Sequence, residues 1–285
     1  MSSAPSARLL PIAVPGARGA YSQTAARRFF GQNVAALSCR NAEETVRALA
    51  EGRASHAVLP VENSITGVFH GVADAFFQGD VAVVGEVVMP IRHALMAVPG
   101  ARLEDLSVVT SHVSSLAQCR DWIAGWGLAT RVAEDTADAA RDLARSADGA
   151  LGVIGSRELA ATYSLDVLAE GISDRADNRT RFLVLAAWRE GAPTNGADST
   201  RCAVQVGPVQ TPRILKTLRI QLESLGASRV RVPFLGSADG RRFLVEFDHR
   251  AGQGSAAAAS ACAALPHRFL GSWSVPRQSL PSTRG

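Results

Sequence analysis

Short apolar runs alternate with helix-period segments along most of this chain, and that alternation most restricts what it can fold into. Leu9 to Val14, Val34 to Cys39, His56 to Pro60, Val81 to Val88, Ile91 to Val98, Leu106 to Thr110, Leu128 to Ala133, Ala150 to Ile154 and Val167 to Ile172 read as strands. The segments between them carry the helical period, for example Val68, Val72 and Phe76 on one face. Strands alternating with helices predict an α/β sheet covered on both faces. Met89-Pro90 divides two long strand runs and is the expected crossing between two lobes.

Local signals set the expected helix ends. Ser22 caps a helix that runs through Phe30 and stops at Gly31. Asn41 and Glu44 have capping-box spacing. Val113 to Trp126 reads as one helix closed by Gly127, and Asp135 or Thr136 caps the next, to about Arg145. Arg157 to Tyr163 reads as a helix. Glu190 to Thr200 has linker composition. Beyond it the order changes to β-α-β-β-α-β, a ferredoxin-like unit. Its first strand is Cys202 to Val206, and its first helix starts with Thr211 as N-cap and Pro212 at the first helical position. The last ten residues read as disordered.

With 285 residues, 47% of them hydrophobic, the chain can bury the core of a large domain and a small one. The net charge of +4 is not gathered into a basic block or helix, so a nucleic-acid partner is not expected. Leu9 to Val14 is too short, and too broken by Pro11, to be a membrane span or a signal-peptide core. Cys39, Cys119, Cys202 and Cys262 form no Cys-x-x-Cys pair and read as buried free thiols. These features together predict a cytoplasmic protein without membrane attachment. Gly16-Ala17-Arg18-Gly19 lacks the third glycine of a dinucleotide fingerprint and the lysine of a nucleotide loop. The six histidines show no metal-ligand spacing, and no Gly-x-Ser-x-Gly elbow is present. Neither cofactor nor metal is expected.

What remains is a set of hydroxyl, amide and charged side chains at strand ends, where ligands of α/β sheets bind. Glu62-Asn63-Ser64 either cap the next helix or touch a ligand. Ser111 is an N-cap or a site residue; Gln118 is an exposed helix residue or a site residue. Asp177-Asn178-Arg179-Thr180-Arg181-Phe182 offers a hydroxyl and a guanidinium directly before the run Leu183-Val184-Leu185.

Four stretches occur in a fixed order: Gly16-Ala-Arg-Gly-Ala-Tyr-Ser22, Leu59-Pro-Val-Glu-Asn-Ser-Ile-Thr-Gly67, Thr110-Ser-His-Val-Ser-Ser-Leu-Ala-Gln-Cys119 and Asn178-Arg-Thr-Arg-Phe182. In that combination the chain resembles the prephenate dehydratase family, including its arogenate-using branch, over about residues 8 to 189. More weakly, the C-terminal unit resembles the family's ACT regulatory domain. The resemblance implies a two-lobed catalytic domain at 8–189, like periplasmic binding proteins with three-layer αβα lobes, the second lobe spanning about 90–174. A linker at 190–200, an ACT-like domain at 201–276 and a tail at 277–285 complete the expected layout.

The implied reaction removes carbon dioxide and water from prephenate to give phenylpyruvate, or from arogenate to give phenylalanine, with no cofactor. The resemblance places the critical role on Thr180, with Asn63, Ser111 and Gln118 as active-site partners, and the chemistry makes the Thr180 hydroxyl the candidate proton or hydrogen-bond donor to the leaving hydroxyl. Ala20, Tyr21, Ser22, Glu62, Ser64, Arg181 and Phe182 are the implied substrate-binding set. Glu62 takes a structural or orienting part, and Arg181 either sets the cleft potential or pairs with an acid. Ala20 carries no hydroxyl where relatives often have one, so the first loop is expected to use backbone N–H groups. Gly-Ala-Tyr-Ser, Val84-Gly-Glu-Val87 and Pro90-Ile-Arg-His93 look like the arogenate-type branch.

The family's phenylalanine-binding motifs fall at Arg213-Ile214-Leu215-Lys216 and Arg231-Val232-Pro233-Phe234 and are lost, so feedback by phenylalanine is expected to be weak or absent. The domain would then serve assembly, as a homodimer or homotetramer. The competing reading is an amino-acid or small-carboxylate binding protein or sensor without catalysis, since fold does not fix function.

Overall fold

The computed structural model describes residues 10–146, 148–188, 200–209, 213–235 and 242–275. They form two compact units: residues up to 79 together with 87–187, and residues 80–86 together with 188 onward. Most of the expected 190–200 linker, and the 277–285 tail, lie outside the described residues.

The chain opens with β1 (Ile12–Pro15), α1 (Tyr21–Phe30), β2 (Ala36–Cys39), α2 (Ala42–Ala50), β3 (His56–Asn63), the two-residue β4 (Gly67–Val68), α3 (His70–Gln78) and β5 (Val81–Pro90), of which residues 81–86 fall in the second unit and the rest in the first. It continues through β6 (His93–Ala97), β7 (Val108–His112), α4 (Val113–Ala117), α5 (Arg120–Gly125), β8 (Ala129–Ala133), α6 (Thr136–Ser146), β9 (Leu151–Ser156), α7 (Glu158–Tyr163), β10 (Asp166–Glu170) and β11 (Arg179–Ala187). Two mixed sheets result, with strand orders β2-β1-β3-β11-β5 and β10-β6-β9-β7-β8; β4 adds to β3. The chain passes from the first sheet to the second at Ile91–Arg92, beside the expected Met89-Pro90 break. It returns after β10, when β11 enters the first sheet antiparallel to β3.

The α/β class follows from the apolar runs. Ala57, Val58, Leu59, Leu95, Ile154 and Leu183 to Leu185 are wholly buried in these strands. The second sheet is packed on two sides. Leu106, Leu116 and Ile123 gather around Leu95 and Ile154, and Ala140, Leu143 and Leu159 around Met96 and Val153.

Several boundaries differ from the sequence reading. Ser22 is not a cap: α1 starts at Tyr21 with Ala20 in the cap position and no side-chain capping bond. Val68 sits in β4 rather than in the following helix. The expected helix from Val113 to Trp126 is two helices, because the chain turns at Gln118-Cys119 to bury both side chains. Asp135, not Thr136, caps α6, its Oδ1 accepting from the N–H groups of Ala137 (2.8 Å) and Asp138 (2.9 Å).

The second unit contains β12 (Arg201–Val206), α8 (Ile214–Ser224), β13 (Ser228–Leu235), β14 (Phe243–Asp248), α9 (Gly254–Ala261) and β15 (His267–Trp273). The sheet runs β13-β14-β12-β15, all antiparallel, so the β-α-β-β-α-β order holds. Arg213 occupies the cap position of α8; Thr211 and Pro212 lie outside the described residues. Val204, Phe247, Leu222 and Ala258 are among its core. Arg201 bonds both Asp248 oxygens and reaches Glu86 Oε1 at 2.8 Å, so a guanidinium ties the 80–86 segment to this sheet. No helix among the described residues is long and apolar enough to cross a membrane.

Candidate active site

The first unit contains a cavity of about 540 Å3. Its walls come from the carboxyl ends of β1, β7 and β9, from Pro60 on β3, and from β11. This is the place ligands take in open α/β sheets.

Two glycines shape the loop after β1. Gly16 and Gly19 both have φ of +95°, a conformation L side chains rarely adopt. A Cβ on Gly19 would lie 2.7 Å from Leu159 Cδ2, so α7 of the second sheet packs directly on this backbone. Ser156 Oγ donates to Gly19 O at 2.7 Å and fixes the same approach. The loop delivers Ala20, Tyr21 and Ser22 to the cavity wall. The first N–H groups of a helix have no intrahelical partner, and no side chain caps α1. The Tyr21 and Ser22 amides are therefore available to an anion at the positive end of the helix. Ser22 itself is buried, with its side chain in the cavity wall rather than on the helix end.

Thr180 is placed by sheet register. It stands opposite Asn63, Arg181 opposite Glu62, and Phe182 opposite Pro60, with Val61 the extra residue of a bulge in β3. Alternation puts Thr180 and Phe182 on the cavity face of β11 and Arg181 on the other. Arg181 is 6% exposed, and neither it nor Glu62 lines the cavity. Ser64 also lies outside the lining: its hydroxyl donates to Asp177 O (3.2 Å) and accepts from Arg179 N (3.0 Å), stitching the two strand ends together.

Asn63 connects this corner. Its Oδ1 accepts the backbone N–H groups of Ile65 (2.9 Å) and Thr66 (3.0 Å), closing the turn after β3. That fixes which end of the amide is nitrogen. Nδ2 then points its two hydrogens at three acceptors, Asn178 Oδ1 (2.7 Å), Thr180 Oγ1 (3.0 Å) and Arg179 O (3.1 Å), the last sharing a hydrogen with one of the other two. Asn178 passes the polarity on, its Nδ2 donating to Gln118 Oε1 at 2.8 Å. His93 Nε2 lies 2.8 Å from the same oxygen.

Gln118 and His93 line the cavity, while Asn63 and Asn178 stand behind it, all four almost fully buried. Ser111 is wholly buried and outside the lining. Its hydroxyl donates to Ile154 O (2.6 Å) and meets Thr136 Oγ1 (2.9 Å) at the start of α6.

The cavity carries little fixed positive charge. Arg40 reaches it but is paired with Glu44 at 3.1 Å. Burial lowers the pKa of His93, and it lowers that of His112 despite Asp135 nearby. Burial, then Glu158 and Cys119, raises Tyr21 well above its ordinary value, so its hydroxyl stays protonated. Among the described residues no three His, Cys, Asp or Glu side chains converge as a metal set. The carboxylates Glu134 and Asp135 also line it, so the neutral donors Thr180, Ser22, the Gln118 amide and two helix N–H groups are what the cavity offers an anion.

Sequence reasoning passed over several parts of this corner. Asn178 lay in plain view before Thr180, but only the fold shows its amide bridging to Gln118. His93 carries no signal in the sequence, because no spacing links it to residues 118 and 178. Thr136 reads in the sequence only as a candidate helix cap, and Ser156 gives no signal.

Residues 12–190 match the family model described as prephenate dehydratase. Arogenate dehydratase 2 of Petunia hybrida is 40% identical over 177 residues, 62% of this chain and 45% of that protein. The chain thus spans less than half the length of this plant relative. A prephenate dehydratase from Arthrobacter aurescens, solved in complex with L-Phe, superposes with a TM-score of 0.78 at 26% identity, covering 93% of this chain and 90% of its own. GqqA, described as a novel type of quorum-quenching acylase, shares the fold with a TM-score of 0.78 at 23% identity, covering 93% of this chain and 98% of its own.

Proposed function

We propose, from the premise that this chain belongs to the prephenate dehydratase family, that its cavity carries out the decarboxylating dehydration of prephenate or arogenate. The products are phenylpyruvate or phenylalanine, and the place is phenylalanine biosynthesis. The observation that carries the reading is the bond from Asn63 Nδ2 to Thr180 Oγ1 at 3.0 Å. Asn63 is a donor there because its Oδ1 is held by two backbone N–H groups. Thr180 Oγ1 therefore accepts on its buried side, and its own hydrogen is free to point into the cavity.

The chemistry needs little more. The bond between the ring and its carboxylate breaks, and that electron pair enters the ring. The C–O bond to the ring hydroxyl breaks at the far side, and aromatisation drives both. Thr180 gives its hydrogen to the departing oxygen, which leaves as water with carbon dioxide. Asn63 N–H stabilises the threonine oxygen as negative charge grows, and solvent returns the proton. Threonine is a weak acid, so its effect depends on orientation and this fixed donor. The Tyr21 and Ser22 amides and the Gln118 NH2 group hold substrate carboxylate, and Phe182 supplies an apolar wall for the ring.

In this scheme Thr180, Gln118, Ala20, Tyr21, Ser22 and Phe182 form the contact surface, and Asn63 and Ser111 brace it. Glu62, Ser64 and Arg181 act from outside the cavity wall. The C-terminal unit serves assembly of a homo-oligomer, and phenylalanine controls it weakly or not at all.

The test is a direct assay of purified protein for phenylpyruvate from prephenate and, separately, phenylalanine from arogenate. Turnover of either supports the reading and identifies the preferred substrate. Turnover of neither sinks it.

A further inference from the structure

His93 belongs to β6 of the second sheet and is 2% exposed, yet its ring reaches the cavity wall beside Gln118. The direction of each bond behind that wall is determined from one end. Backbone N–H groups cannot reverse, so Ile65 and Thr66 fix Asn63 Oδ1, and Asn63 Nδ2 faces Asn178 Oδ1. Asn178 must then offer its Nδ2 to Gln118, and the Gln118 atom it meets, at 2.8 Å, must be Oε1. His93 Nε2 sits 2.8 Å from that oxygen and can bond to it only as a donor.

The hydrogen of a neutral ring therefore resides on Nε2. Nδ1 is left as an acceptor, with the Tyr21 hydroxyl 3.4 Å away and able to share its hydrogen between Nδ1 and Arg92 O (2.8 Å). The Gly155 carbonyl also faces the ring and competes for a ring hydrogen. Asn178 decides the matter, because turning Gln118 to suit the other tautomer would set its NH2 against the Asn178 NH2.

We propose that His93 is a positioning residue: by donating from Nε2 to Gln118 Oε1 it holds the Gln118 amide with its NH2 group facing the cleft, ready for a substrate carboxylate. This rests on the dehydratase reading above. Burial keeps the ring neutral, which preserves a single tautomer. Two donors, His93 and Asn178, hold one oxygen, which leaves the amide nitrogen for the cavity that Gln118 lines.

The experiment has a spectroscopic and a kinetic arm, both on the full chain. Long-range 1H–15N correlation of the His93 ring is expected to show the hydrogen on Nε2 and a bare Nδ1. The opposite tautomer overturns the inference. In the kinetic arm, His93→Leu is expected to lower kcat/KM about tenfold to a hundredfold, the range for one hydrogen bond to a charged group, carried mainly by KM. His93→Gln places an amide N–H near the Nε2 position and is expected to recover most of the loss. In a Gln118→Leu background, His93→Leu is expected to add nothing further. An equal loss from His93→Gln, or the same loss with and without Gln118, overturns it. Turnover of neither substrate by the wild type sinks the reading on which this rests, and the ring spectrum still decides the orientation of Gln118.

Discussion

Asn63 and Thr180 stand opposite each other on antiparallel strands, and the Asn63 amide nitrogen is 3.0 Å from the Thr180 hydroxyl oxygen. The amide donates because a turn holds its other end. A hydroxyl that accepts from behind gives its hydrogen to whatever lies in front, and the cavity lies in front. Removing that hydroxyl is the most direct test. Thr180→Val keeps the shape and is expected to lower kcat by about 10²- to 10⁴-fold, the usual worth of a positioned acid, while the melting temperature moves little. Thr180→Ser should retain much of the rate. A Thr180→Val enzyme with wild-type turnover would remove Thr180 from the mechanism.

Asn63→Asp separates the two jobs of this amide. The carboxylate still accepts from Ile65 and Thr66, so the turn survives. It has no N–H for Thr180, which would instead donate its hydrogen backward to the carboxylate. The expected result is a loss in kcat close to that of Thr180→Val, with little added when the two are combined. Fully additive losses in the double variant would contradict the shared role.

Gly19→Ala tests the contact that seats the first loop. It places a side chain at φ +95° and 2.7 Å from Leu159 Cδ2. The expected cost is about 1–3 kcal/mol, read by denaturant unfolding. Gly31→Ala, also at positive φ but with open space around its Cβ, controls for backbone strain alone and should cost less.

Buried neutral histidines link stability to pH. Burial lowers the folded-state pKa of His93, and also those of His56 and His112. A depressed folded pKa means the unfolded chain binds the proton first as pH falls. The stabilisation is thus complete above the ordinary histidine value of about 6.5 and is lost as pH drops from there through the folded-state values. Unfolding midpoints measured from pH 7.5 downward should fall in that window. His93→Gln should flatten the slope; an unchanged slope would remove His93 as a contributor.

Regulation gives a fifth measurable outcome. Arg213 stands at the start of α8, in one of the two stretches where the resemblance implies a phenylalanine-binding motif and this chain lacks it. Added L-phenylalanine is expected to lower the dehydratase rate only slightly or not at all. Clear inhibition would show that a site survives despite the lost motifs.

Much of the fold was legible in the sequence because burial on both faces leaves continuous apolar runs, and Leu183-Val184-Leu185 or Ala57-Val58-Leu59 can be little else than strands in a packed sheet. The ferredoxin-like order was legible for the same reason. Cap chemistry was readable where a side chain does the capping, as at Asn41 and Asp135, and misread at Ser22, where none does. The single helix expected from Val113 to Trp126 failed because Gln118 and Cys119 turn inward, and no local propensity records that.

The sequence by itself determined most of the strands and helices and which polar residues stand at strand ends, since those depend on neighbours within a few positions. Only the tertiary structure decided what those residues do to one another. The amide chain joins positions 63, 93, 118, 178 and 180 through bonds that span up to 117 residues of sequence. The direction of a hydrogen bond depends on which atom it meets, and for Thr180 that atom belongs to another strand.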